Sequence, residues 1–104
     1  MTNINVVKTG NVINSIEIKG HTGYQVSGKD IVCAAISSSA ITSINAILSL
    51  EENTIEVTEK DGYLFINTLK NSDITNKLLQ NLVDMLKDIE SEYPKYLKIN
   101  IEGE

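Results

Sequence analysis

The chain contains one histidine and one cysteine, and both lie in the segment Gly20-His21-Thr22-Gly23-Tyr24-Gln25-Val26-Ser27-Gly28-Lys29-Asp30-Ile31-Val32-Cys33-Ala34-Ala35. A thiol and an imidazole are the smallest pair of side chains that supports nucleophilic catalysis through a thiolate. His21 lies in a glycine-rich stretch, and Cys33 lies where a long apolar helix is predicted to begin. The pair makes a thiol enzyme the first hypothesis, with Cys33 as the candidate nucleophile and His21 as the candidate base.

The same residues also have a structural interpretation. Free cysteine is among the most buried residue types, and a histidine in a glycine-rich loop is often only solvated. Asp30 is either the N-cap of the helix or a group that orients His21. Ser37, one turn after Cys33, is either a satisfied core hydroxyl or a substrate contact. Spacing alone does not bring His21 and Cys33 together, because the intervening loop can place its ends in many ways.

The predicted helix start bears on the chemistry. A loop over residues 20–29 followed by a helix from Asp30 to about Leu50 places Cys33 in the first helical turn. There, unpaired amides and the positive end of the helix dipole favour the thiolate. The same amides are expected to stabilise an oxyanion on an attacked carbonyl.

Composition narrows the function classes. The 104 residues form one domain, 1–104, with a net charge of −5, and all nine basic residues are lysine, which argues against nucleic-acid binding. A single cysteine and a single histidine provide no metal-ligand spacing, so no metal or cofactor is expected. The first residues show no pattern of a secretory signal, and we expect no stretch that approaches the ~20 apolar residues of a membrane span. We therefore predict a cytoplasmic protein without a membrane span.

Hydrophobic periodicity predicts the element order ββαββαβ. A hairpin around Thr9-Gly10-Asn11 carries the alternating residues Ile4, Val6, Val12, Asn14, Ile16 and Ile18. After the first helix, strands over 54–58 and 63–69 flank Lys60-Asp61-Gly62, and Asp-Gly favours a tight turn. A second helix begins at Ser72 or Asp73 and ends before Pro94, with a stripe of Ile74, Leu78, Leu82, Met85 and Ile89. A last strand contains Leu97, Ile99 and Ile101.

This order predicts an α+β fold, a two-layer sandwich in which a mostly antiparallel five-stranded sheet carries two helices on one face. The small residues Ser37-Ser38-Ser39-Ala40 keep part of the first helix narrow. Close packing against another element or against a second subunit would explain them.

The run G-H-x-G…G-x-D-I-V-C-A-A-x-S, from Gly20 to Ser37, resembles the signature of the ribosomal-processing cysteine proteases of Firmicutes and related bacteria. The resemblance implies a cysteine endopeptidase that removes the N-terminal extension of a large-subunit ribosomal protein, cutting after an aromatic residue. It implies Cys33 as nucleophile, His21 as general base and acid, and a homodimer. Gly20, Gly28, Asp30 and Ser37 match further motif positions and are assigned a supporting role. Thr22 departs from the alanine that commonly follows the histidine.

Two other classes compete with the protease. A redox-active thiol would use the same Cys33, but the chain has no second cysteine to resolve a sulfenic acid. A non-enzymatic, ribosome-associated binding module would use the segment only as a loop and a helix start.

Overall fold

A computed structural model describes residues 1–20 and 27–103, and of residues 27–30 the backbone alone. Within these ranges the element order is ββαββαβ, as predicted. The elements are β1 Thr2–Thr9, β2 Val12–Lys19, α1 Ser27–Leu50, β3 Ile55–Lys60, β4 Tyr63–Thr68, α2 Asp73–Glu92 and β5 Leu97–Gly103.

The described strands form one five-stranded sheet in the order β3-β4-β2-β1-β5. The β1–β2, β2–β4 and β3–β4 pairs are antiparallel, whereas β5 lies parallel to β1. The two helices pack on each other and on one face of the sheet, where a core of aliphatic side chains is enclosed. The predicted α+β sandwich is confirmed.

A bulge in the first hairpin corrects the predicted alternation. Val7 pairs with Ser15 but the next residue, Lys8, pairs with Ile13, so Asn14 is the extra residue of β2. An extra residue reverses the alternation beyond it. Ile13 is therefore buried in place of the predicted Val12 and Asn14.

Helix α1 begins at Ser27, three residues before the predicted start. The prediction that Asp30 is the N-cap and that residues up to Lys29 form a loop is wrong. Glycine at position 28 disfavours a helix by only about 1 kcal/mol, and no proline blocks the extra turn, so the packed helix that follows extends through it.

The expectation that no stretch approaches the length of a membrane span is also wrong. Ile31–Leu50, with a mean hydropathy of 1.8, is long and apolar enough to cross a membrane by length and composition. Core helices of soluble proteins meet the same criterion. In this fold α1 contributes to the core at Val32, Ile36, Ala40, Ile44 and Ile47.

Helix α2 begins and ends where the sequence predicts, but a different face is buried. Ser72 is the N-cap, accepting from the Thr75 amide at 3.4 Å, and the helix ends at Glu92, before Pro94. Thr75 is buried because its hydroxyl is satisfied by Thr54 at 2.8 Å. The buried face of α2 is therefore turned by one residue from the predicted face, and Ile74 is 48% exposed. The buried residues of α2 are Thr75, Leu79, Leu82, Val83 and Leu86.

Candidate active site

Cys33 is the seventh residue of α1 and is only 5% exposed. This corrects the predicted first-turn position. Only the first four amides of a helix lack an intrahelical partner, and the dipole effect fades within the first turn. The Cys33 amide is thus part of the regular helical hydrogen-bond ladder. The sequence-based prediction that placed Cys33 among these free amides therefore no longer applies.

Cys33 lines a cavity of about 490 Å³ between the N-terminal half of α1 and the sheet. One wall is the face of α1 that carries Cys33, Ile36, Ser37, Ala40 and Ile41. The opposite wall comes from Ile18 at the end of β2, Leu64 at the start of β4, and the β3–β4 turn. A pocket of this volume, apolar inside with a few polar groups, accommodates a side chain together with adjacent backbone of a peptide.

Ser37 lies in this wall, half-buried and one helical turn after Cys33. The structure thus brings Cys33 and Ser37 to one cavity. His21 lies outside the described residues. Gly28 and Asp30 lie in the first turn of α1 by their backbone, and their side-chain surroundings lie outside the described part of the chain.

Gly20 anchors the chain immediately before His21. Its amide donates to the carbonyl of Gly62 at 3.2 Å, which joins the end of β2 to the turn that lines the cavity. Its φ is +91°, and a Cβ atom there would lie 2.7 Å from the carbonyl oxygen of Met1. Glycine is required at this position both by its backbone angle and by the close approach of Met1.

The sheet wall of the cavity is the part of the site that sequence reasoning missed. Strand periodicity and the Asp61-Gly62 turn predict the β3–β4 hairpin, and the alternation points Ile18 inward. The pairing of Ile18 with Leu64 joins β2 to a strand that follows α1 in sequence. No local signal specifies that pairing, so the wall could not be assigned.

The electrostatics near the turn are dominated by carboxylates. Glu59 and Asp61 both line the cavity and are exposed, and they outnumber the one cationic lining residue, Lys60. On the opposite face of the sheet, the hydroxyl of Tyr63 donates to Glu17 Oε2 at 2.9 Å. This hydrogen bond to a carboxylate raises the pKa of Tyr63. Ionising the phenol would break the hydrogen bond and place its negative charge next to that of Glu17.

Within the described residues, no group of three or more histidine, cysteine, aspartate or glutamate side chains could hold a metal ion. The residues that line the cavity thus carry a thiol, three hydroxyls, two carboxylates and one ammonium group around an apolar interior. A thiol on a helix that faces a peptide-sized cavity is the arrangement that a cysteine peptidase requires of its nucleophile.

The comparisons with known proteins identify the family within this class. The family profile described as "Cysteine protease Prp" matches residues 1–98, and the chain belongs to this family. The ribosomal processing cysteine protease Prp of Staphylococcus aureus is 33% identical over 91 residues, which cover 85% of this chain and 86% of that protein. The chain is therefore a cysteine protease, as its resemblance predicted.

Two crystal structures of the S. aureus protease have closely similar folds. One, in complex with a substrate peptide, has a TM-score of 0.90 and 25% identity, covering 98% of this chain and 100% of that chain. The other, with a covalently linked product peptide, has a TM-score of 0.88 and 26% identity, with the same coverage.

Proposed function

We propose that this protein is an endopeptidase that removes the N-terminal extension of a large-subunit ribosomal protein during ribosome assembly and cuts after an aromatic residue. The observation that carries the proposal is the position of Cys33, which lines a peptide-sized cavity in a member of the Prp family. A relative named for ribosomal processing, and structures of it with substrate and product peptides, support the same class of substrate.

The chemistry divides into two steps. His21 accepts the proton of the Cys33 thiol, and the sulfur attacks the scissile carbonyl. The C–N bond breaks as His21 returns the proton to the leaving amine, which leaves a thioester on Cys33. Water, deprotonated by His21, then attacks the thioester; the C–S bond breaks and the thiol is regenerated with its proton.

The cavity interior supports cleavage after an aromatic residue. Ile18, Ile36, Ala40 and Leu64 present apolar surface beside Cys33. Burial of an aromatic ring against such surface is favourable, and the adjacent carbonyl is then held near the thiol. Ser37 borders the same surface as a supporting residue. Gly20, Gly28 and Asp30 flank the segment that carries His21 and support its position.

The proposed function is tested by mass spectrometry of a peptide that spans the extension junction of the organism's own ribosomal protein. Wild type is expected to make a single cut after an aromatic residue, and Cys33→Ala is expected to make none. Ser49→Ala, in the same helix but exposed and not among the residues that line the cavity, is the matched control and is expected to cut normally. Failure of the wild type to cut either the peptide or the full-length precursor would refute the proposal.

The active form is proposed to be a cytoplasmic homodimer. Six of the exposed residues of α1 recur at alternating spacings of three and four, as do the residues of one helix that contact another in a coiled coil. These residues are Ile31, Ala34, Ser38, Ile41, Asn45 and Leu48. Ile41 also lines the cavity, so a second subunit packed on this stripe would border the substrate site.

A further inference from the structure

Glu59 lies in one row of the sheet with the apolar residues of the cavity. It pairs with Leu64, and Leu64 pairs with Ile18, so the three span β3, β4 and β2 at the same level. Ile18 is buried beneath the helices, which places the whole row on the helix-covered face. Glu59 occupies the outer end of this row, on the edge strand β3, and is an exposed residue of the cavity lining.

The surrounding charges leave this carboxylate without compensation from its own hairpin. Lys60 also lines the cavity, but it pairs with Tyr63 in the neighbouring row, alternation along β3 directs its side chain to the opposite face, and among the described residues it forms no ion pair with Glu59. Asp61, in the turn that follows, lines the same cavity and adds a second negative charge. Among the described residues, the ion pair that forms is Lys19 with Glu17, on the other face of the sheet.

We propose that Glu59 is a specificity-determining residue that binds a cationic side chain, lysine or arginine, of the substrate peptide; this inference rests on the proposed peptidase function. When the apolar residue of a substrate peptide packs against Ile18 and Leu64, the residues next to it in the peptide lie within reach of the edge strand β3, which carries Glu59. A carboxylate at that edge attracts a cation and repels an anion, so it distinguishes cationic from anionic peptides mainly by their binding affinity. Asp61 reinforces the same preference from the turn.

The test separates binding from cleavage. The junction peptide is varied by placing a single Lys or a single Glu at each position on both sides of the cut. Binding is measured by fluorescence anisotropy in the Cys33→Ala protein, and KM and kcat are measured with an intact Cys33. Each assay is repeated with Glu59→Lys and with Glu56→Lys. Glu56 is the matched control, because it is an exposed carboxylate of the same strand on the opposite face.

We expect one peptide position at which Lys binds more tightly than Glu, by roughly two- to fivefold, as for an exposed ion pair. Glu59→Lys is expected to invert this preference at that position, in Kd and in KM, with kcat unchanged. Glu56→Lys is expected to keep the preference of the wild type.

Three results overturn the inference. The first is that no peptide position binds Lys more tightly than Glu, and the second is that Glu59→Lys keeps the preference of the wild type. The third is that Glu56→Lys inverts the preference equally, which would indicate an effect of the overall surface charge. Cleavage of the parent peptide without an inversion refutes the role of Glu59 alone. An inversion in binding without any cleavage by the wild type upholds the role of Glu59 and refutes the proposed cleavage of this substrate.

Discussion

At the scale of single residues, the two thiol chemistries that the sequence leaves open differ in what each needs beside Cys33. A redox thiol that forms a disulfide needs a second cysteine to resolve its sulfenic acid, and the sequence has none. A peptidase thiol needs a site that holds a peptide, and Cys33, itself 5% exposed, lines a cavity of that size. The cavity and the family match therefore favour attack on a bound carbonyl over redox sensing.

Gly20 is the residue whose substitution tests how the segment carrying His21 is anchored. Gly20→Ala adds a Cβ at 2.7 Å from the Met1 carbonyl oxygen and forces alanine to adopt a φ of +91°. We expect a loss of about 1–3 kcal/mol in the free energy of unfolding. The kcat/KM is expected to fall by at least tenfold, because His21 is the next residue (about 1.4 kcal/mol of transition-state stabilisation). Urea unfolding and a pH–rate profile measure the two effects separately.

Gly10→Ala is the matched control for this experiment. Gly10 also has a positive φ, +58°, but nothing lies within 4 Å of a Cβ added there. Its substitution is expected to cost about 1 kcal/mol of stability from backbone strain alone and to leave the pH–rate profile unchanged. A Gly20→Ala enzyme with the kinetics of Gly10→Ala would show that Gly20 has only a structural role.

At the scale of elements, a hydrogen-bonded cluster joins the end of α1 to the beginnings of β3 and α2. Glu51 accepts hydrogen bonds from the hydroxyls of Ser72 and Thr75, and the Thr75 hydroxyl also lies 2.8 Å from that of Thr54. The Ser72 hydroxyl, followed by that of Thr75, lowers the pKa of Glu51 below its ordinary value of 4.5. The N-terminus of α2 adjoins the same carboxylate, and its free amides favour negative charge.

The lowered pKa gives the cluster a pH dependence of defined sign. The carboxylate is more stable ionised in the folded protein, so Glu51 stabilises the fold above the unfolded pKa, and this contribution is lost as the pH falls through the folded value. Urea unfolding between about pH 3 and pH 7 is expected to show a smaller decrease on acidification in Glu51→Gln than in wild type. Glu52→Gln, the exposed neighbour, is the control. Equal pH dependence in all three proteins would refute the assignment.

The elements also show where sequence patterns suffice and where they do not. The ends of α2 could be predicted because they depend on nearby residues alone. The hydroxyl of Ser72 caps the beginning of the helix, and Pro94, which has no amide hydrogen, stops it from continuing. The bulge at Asn14 depends on pairing with β1, and the burial of Thr75 depends on partners in another element. Both are tertiary effects that override periodicity. The candidate reactive residues could be predicted because they lie in one segment of the sequence. The cavity wall around Leu64 could not be predicted, because it depends on the pairing of β2 with β4.

At the scale of the whole molecule, the two sides of α1 differ from those of an ordinary surface helix. One side supplies the core, and the other exposes apolar residues, including Ile31 at 58% and Leu48 at 49%. A helix that is apolar all round is normally covered on every side. This is also why Ile31–Leu50 has the hydropathy of a membrane span. The proposed homodimer would cover the exposed stripe with an identical stripe of a second chain.

The dimer is tested by Leu48→Lys, which places a charge in the exposed stripe without disturbing the core. Sedimentation velocity at micromolar concentration is expected to show a dimer for wild type and at least a tenfold weaker dimer for Leu48→Lys, because burying an unpaired ammonium is costly. Leu69→Lys is the matched control, since Leu69 is equally exposed but lies outside the stripe. Monomeric wild type, or equal weakening by both substitutions, would exclude a dimer through α1. Flotation of wild type with lipid vesicles, abolished by Leu48→Lys, would instead assign the stripe to a membrane surface.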